Sequence, residues 1–193
     1  MSKTITFVTS NANKLREVSQ VMSTNKTLNF INVDIDLPEF QGTAEDVAKF
    51  KCIEATKHIS GPVIVEDTSL SFNALNGMPG PYIKWFLKAV GPDGLYKMVS
   101  GFEDHTAFAQ CTFAYKENKD AEVKLFVGKC DGKIVEPRGA TTFGWDPCFE
   151  PKAQPNVSSE GDKVQTFAEM DGLVKNGISH RGKALEELKQ YFE

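Results

Sequence analysis

Apolar residues recur along this chain in two periods, and the switches between them outline its elements. Residues 3–9, K-T-I-T-F-V-T, alternate and are rich in β-branched side chains, which predicts a strand buried at Phe7 and Val8. Past Ser10-Asn11-Ala12-Asn13, Leu15, Val18 and Val21 or Met22 fall at helical spacing, with Ser10 or Asn11 as the N-cap. A second strand is expected over 27–35 and a loop over 36–42, punctuated by Pro38 and Gly42. Thr43 and Asp46 resemble a capping box with Asp in place of the usual Glu, opening a helix that runs to about Ile59. After Gly61-Pro62, V-I-V at 63–65 suits a short central strand that closes at Glu66-Asp67-Thr68-Ser69. Residues 76–82 hold too much Gly and Pro for regular structure. Two helices follow, about 82–90 and then to about Ser100, parted by G-P-D-G at 91–94. Residues 106–116 and 121–129 alternate around a charged turn and predict an antiparallel hairpin, extended by Ile134-Val135. The polar stretch 151–164 reads as a mobile surface loop. A last helix starts near Ser179 and passes through Leu185, Leu188 and Phe192. The opening strand–helix–strand–helix–strand order predicts an α/β fold with a mixed, partly parallel central sheet and flanking helices. Ligands of such sheets sit beyond the carboxyl ends of the strands.

Composition narrows the function. The 193 residues suit one domain, with room for a second lobe. Lys plus Arg is 22 against Asp plus Glu at 26, a net charge of −4. Such a chain lacks the broad basic face that a nucleic-acid polymer needs, yet a few converging cations still hold a small anion. No apolar run approaches the ~18 residues of a membrane span. Met1 to Ser10 reads as a strand rather than a signal peptide. Cys52, Cys111, Cys130 and Cys148 form no C-x-x-C pair, so free thiols in a reducing compartment are expected, with the cytoplasm as the location.

Four stretches carry candidate chemistry. T-S-N-A-N-K at 9–14 lies at a strand-to-helix turn, where free backbone N–H groups favour phosphate and Lys14 adds a full charge. A plain N-cap followed by a surface lysine explains it equally well. The chain contains neither G-x-x-x-x-G-K-[ST] nor G-x-G-x-x-G. The acids Asp34, Asp36, Glu39, Glu66 and Asp67 gather near strand ends, and hard carboxylates suit Mg²⁺ that bridges to phosphates. Glu66 and Asp67 should face opposite ways along a strand. I-S-H-R at 178–181 places His180 and Arg181 at a helix start, against the macrodipole preference. F-G-W-D-P at 143–147 offers aromatic planes for a base, or simply core packing. Lys51 and Lys84 are single cations that spacing alone leaves on the surface.

Taken together and in order, T-S-N-A-N-K-L, L-P-E-F-Q-G, V-E-D-T-S-L-S-F-N-A-L-N-G-M-P-G-P-Y-I-K-W-F, F-G-W-D-P-C-F and K-N-G-I-S-H-R resemble the inosine triphosphate pyrophosphatase family, and the eukaryotic members most. The resemblance runs from Phe7 to Phe192. It implies two lobes around an active-site cleft within a single domain over 1–193, usually as a homodimer. It also implies Mg²⁺-dependent hydrolysis of ITP, dITP and XTP to the monophosphate and pyrophosphate, with Mn²⁺ as an alternative ion. By the same resemblance the phosphate loop falls on Thr9, Ser10, Asn11, Ala12, Asn13 and Lys14, and the metal-binding acids on Glu39 and Asp67. Further substrate contacts fall on Lys51, Thr68 and Lys84. The base pocket falls on Phe143, Gly144, Trp145, Asp146, Lys175, His180 and Arg181, with His180 and Arg181 donating to the 6-keto oxygen. Asp67 and Lys14 are the expected catalytic residues, with Glu66 as the alternative base. Ser10 replaces the glycine common in this loop, and 152–164 is longer than in close relatives.

Overall fold

The computed structural model describes residues 3–22, 28–155, 157 and 162–193. In chain order they form β1 (Lys3–Val8), α1 (Ala12–Met22), β2 (Leu28–Val33), α2 (Ala44–Ala55), β3 (Val63–Phe72), β4 (Pro79–Gly80), α3 (Ile83–Val99), β5 (Thr106–Lys116), β6 (Lys124–Ile134), β7 (Phe149–Pro151), α4 (Gly172–Ile178) and α5 (His180–Phe192). The strands make one mixed sheet in the order β2-β1-β3-β5-β6-β7, with β4 paired to β3. β1 runs parallel to both β2 and β3, whereas β4 and β7 pair antiparallel with β3 and β6. The predicted α/β class with a mixed sheet is the observed one.

Local chemistry explains most boundaries. Thr43 Oγ1 accepts from the Asp46 amide and the Asp46 carboxylate accepts from the Thr43 amide, so the capping box forms with Asp in the Glu position. Helix α2 ends at Ala55, short of Ile59, and a turn completes the segment. Gly91 interrupts α3 with φ 64° and ψ −178°, and Pro92 follows. This produces the two helical pieces that the sequence anticipates, because only glycine takes such a φ without cost.

The length of β3 corrects one expectation. β3 does not stop at Glu66 but runs ten residues to Phe72. Its charges are buried and paired (below), so they do not end it, and Leu70 and Phe72 continue the apolar alternation. β4, β7 and α4 are absent from the sequence reading, being too short to show a period. Of the loop expected over 151–164, residues 156 and 158–161 lie outside the described residues. Next to it the Gln154 side chain donates to the Pro151 and Gln165 carbonyls and accepts from the Gln165 amide.

The chain divides into two compact units. The first comprises residues 1–68, 111–128 and 181–193. It buries both faces of its central strands β1, β3 and β5. Ile5, Phe7, Ile64, Cys111 and Phe113 pack with α1 and α5 through Val18, Met22, Ala184, Leu185 and Leu188. Val8, Val63, Val65 and Ala114 pack with α2 through Ala48, Cys52 and Ala55. The second unit, 69–110 and 129–180, has a core of Leu70, Phe72, Leu95, Val99, Trp145, Phe149, Phe167 and neighbours. All four cysteines are buried free thiols. Among the described residues no helix is long and apolar enough to cross a membrane.

Candidate active site

Strand periodicity decides where the two acids of β3 point. Ile64 faces α1 and α5, whereas Val63 and Val65 face α2. Two-residue alternation then sends Glu66 to the α1/α5 side and Asp67 to the α2 side. Each meets a cation there. Lys14 in α1 and Arg181 in α5 both pair with Glu66, and Lys51 in α2 pairs with Asp67. β1 aligns Phe7 with Ile64, so two residues further on the β1–α1 turn lies beside Glu66.

Glu66 sits in a buried network of ion pairs and hydrogen bonds. Its Oε2 pairs with Lys14 Nζ, and its Oε1 accepts from Thr68 Oγ1, from Arg181 Nη2 at 3.4 Å and from the Cys111 thiol at 3.2 Å. Arg181 Nη2 also donates to Thr68 Oγ1 at 3.0 Å, and Arg181 Nη1 pairs with Glu17. Burial by itself would raise the Glu66 pKa, but Lys14 and Arg181 overrule it and hold the carboxyl well below its usual range. Magnitudes support that sign. A cation at 4 Å contributes about 4 kcal/mol at an effective dielectric near 20. Two of them outweigh a burial penalty of several kcal/mol. Burial pushes the Cys111 thiol up, aided by Glu66, so this cysteine stays protonated and donates.

Asp67 is in a different state. Lys51 Nζ lies 2.7 Å from its Oδ1 and 3.5 Å from Glu39 Oε2. Burial dominates and raises the Asp67 pKa, with Lys51 and Lys14 offsetting only part of it. Burial also works against the Lys51 ammonium, but Asp67 and Glu39 more than compensate and its pKa stands above the ordinary value. Asp67 Oδ2 is buried and has no hydrogen-bond partner among the described residues. That orphaned oxygen, with Glu39 gathered on the same ammonium, fits a hard divalent cation. Among the described residues there is no group of three or more His, Cys, Asp or Glu that could hold a metal ion.

The β1–α1 turn decides between the two expected caps of α1. Asn11 Oδ1 accepts from the backbone N–H groups of Asn13 and Lys14, both at 3.0 Å, and the Asn11 amide donates to Thr9 Oγ1. Asn11 is thus the N-cap. Thr9, Ser10 and Ala12 complete the turn.

The second unit gathers the aromatic residues. Phe143 is half-buried with Lys175 Nζ 4.1 Å from its ring centroid, and Lys175 pairs at 2.6 Å with Asp146, both buried. Gly144 between Phe143 and Trp145 has φ +50°, which turns the chain so that Trp145 enters the core. The His180 ring is buried against Trp145 at 5.4 Å and Phe167 at 6.0 Å. Lys84 is exposed at the start of α3, over the Trp85 ring at 5.2 Å. The boundary between the units falls between His180 and Arg181. The family resemblance implies that both donate to the base. In the structure both terminal nitrogens of Arg181 engage Glu17, Glu66 and Thr68 of the first unit.

A model of the Ham1 family matches residues 5–191. The chain belongs to the Ham1 family. This bears out the resemblance carried by the motifs. Solved structures agree across nearly the whole length. A HAM1 protein from Coxiella burnetii is 28% identical with a TM-score of 0.82, covering 100% of this chain and 98% of that one. The Staphylococcus aureus Ham1 protein is 26% identical with a TM-score of 0.80, covering 98% of each. A Mycobacterium abscessus protein described as a nucleoside-triphosphatase or dITP/XTP pyrophosphatase is 27% identical with a TM-score of 0.71, covering 99% and 100%.

Two members of the network escape a motif search. Glu17 is an acid on the inner side of α1, three residues beyond Lys14, where the apolar stripe leads one to expect Leu or Val. Cys111 follows the inward alternation of β5 with Phe113 and Tyr115. A charged residue at a buried helix position was the available signal for the first, and the second reads as ordinary core.

Proposed function

We propose that this chain hydrolyses non-standard purine nucleoside triphosphates, namely ITP, dITP and XTP, to the monophosphate and pyrophosphate. Family membership and the likeness to the Mycobacterium abscessus enzyme support nucleoside-triphosphate hydrolysis. The observation that carries the finer reading is the pairing, within one unit, of Lys14 with Glu66 and of Lys51 with Asp67 and Glu39. Cations for phosphate and acids for a metal are there interleaved.

Glu39 and Asp67 would hold Mg²⁺, which supplies charge neutralisation at the phosphate oxygens. Of the two buried acids, Asp67 suits a proton acceptor. Its pKa is raised, whereas Glu66 is held ionised by two cations. Asp67 would orient water for in-line attack at the α-phosphorus, with pyrophosphate leaving. Lys14 would stabilise the departing charge, which in phosphoryl transfer is positioning plus electrostatics. When Lys14 turns to phosphate, Glu66 keeps Arg181 and stays compensated. Arg181 is a positioning residue in this reading, holding Glu66 and Thr68. In the second unit Phe143 would stack on the purine and His180 would donate to the 6-keto oxygen. Adenine presents an amino donor at that atom, and donor facing donor in a dry site is strongly rejected.

The products test the reaction. Chromatography of ITP after incubation with the protein and Mg²⁺ should give IMP and pyrophosphate in equal amounts. Chelating the ion should lower the rate about a hundredfold or more, as several kcal/mol of Lewis-acid stabilisation requires. Release of IDP and orthophosphate would contradict attack at the α-phosphorus.

A further inference from the structure

We propose that Lys51 is the resident counter-ion of the metal-holding acids, and that it passes to the triphosphate when the metal arrives. Metal and nucleotide then each promote binding of the other. The idea rests on the reading of Glu39 and Asp67 as the metal-holding pair.

The geometry carries it. One ammonium stands 2.7 Å from Asp67 Oδ1 and 3.5 Å from Glu39 Oε2, between the two acids that would hold the metal. Two cations do not share that place, so one displaces the other. The Asp67 side chain is only 8% exposed, and a buried carboxylate without a partner is costly, so the metal-free protein needs Lys51 there. Lys51 can also leave. Its ammonium ends a flexible four-carbon stem, and its side chain is 18% exposed. The contrast with Glu66 sharpens the point. Glu66 has direct contacts with both Lys14 and Arg181, so one cation remains when the other moves. For Asp67, Lys51 is the one direct ion-pair partner among the described residues. Metal entry and Lys51 departure are therefore a single exchange. A displaced ammonium near the site attracts an anion, and linkage makes the effect reciprocal.

Mn²⁺, titrated into the full-length protein without nucleotide and followed by electron paramagnetic resonance, tests this directly. Lys51→Met should bind Mn²⁺ about tenfold tighter than wild type, within the usual range of site-to-site coupling. Lys51→Arg keeps the charge and should stay within about threefold of wild type. Calorimetry gives the second readout. Pyrophosphate should bind wild type about tenfold tighter with saturating Mg²⁺ than with chelator, and Lys51→Met should shrink that ratio below about threefold. Equal or weaker Mn²⁺ binding by Lys51→Met, or an unchanged calorimetric ratio, overturns the exchange. Asp67→Asn separates the two levels. If it abolishes Mn²⁺ binding while Lys51→Met fails to tighten it, the metal reading stands and the exchange falls. If Asp67→Asn binds Mn²⁺ like wild type, the metal reading itself fails and takes the exchange with it.

Discussion

Asp67→Asn is expected to reduce pyrophosphate release from ITP by about 10³-fold, within the range for loss of a positioned general base, with further loss if the metal is also weakened. The fold should persist. Asn keeps the shape of the side chain, and removing a charge that burial already disfavours relieves part of a strain on the native state. Lys51, left with Glu39, reaches solvent through its exposed end. Steady-state turnover and a thermal melt followed by circular dichroism measure the two halves. Wild-type turnover in Asp67→Asn would remove the residue from the chemistry. A collapsed melt would make it structural.

Arg181→Ala is expected to have the largest effect on stability, about 3–5 kcal/mol, the usual consequence of removing one member of a buried ion pair. Its guanidinium is 2% exposed and serves Glu17, Glu66 and Thr68 together. Acid titration gives the same result a second signature. The folded-state pKa of Glu66 lies below its ordinary value of 4.5. Its stabilisation is therefore complete above pH 4.5 and is lost as the pH falls through the folded value. Without Arg181 the carboxyl keeps burial and Lys14 alone, its folded pKa rises, and the variant should unfold at a higher pH than wild type. Urea unfolding at pH 7 and an acid titration followed by circular dichroism read both. Turnover of ITP and ATP should fall by the same factor. A loss confined to ITP would place Arg181 at the base, as the family resemblance implies.

What the sequence discloses and what it hides follow physical lines. The first three strands, the helices between them and the capping box at Thr43 are legible because long, periodic segments with local caps carry their own signal. Alternation also tells that Glu66 and Asp67 diverge. It cannot tell that β3 continues through them, because that depends on cations brought by α1, α2 and α5 from far along the chain. β4 and β7 are too short for any period, and their pairing is set by partners. At the site, residue types and the family resemblance name Lys14, Lys51, Glu39 and Asp67. They do not reveal that each lysine is already matched to an acid. That is a property of the folded charge balance. The same holds for the ion pairs of Arg181 with Glu17 and Glu66.

This site is proposed to work on purine triphosphates that carry a keto group at the 6-position, and the ratio of kcat/KM for ITP to that for ATP measures it. A mismatched donor pair in a buried site supports discrimination on the order of 10²-fold or greater. The account predicts a ratio of that size at fixed Mg²⁺, with XTP grouped with ITP. Equal turnover of ITP and ATP would contradict it.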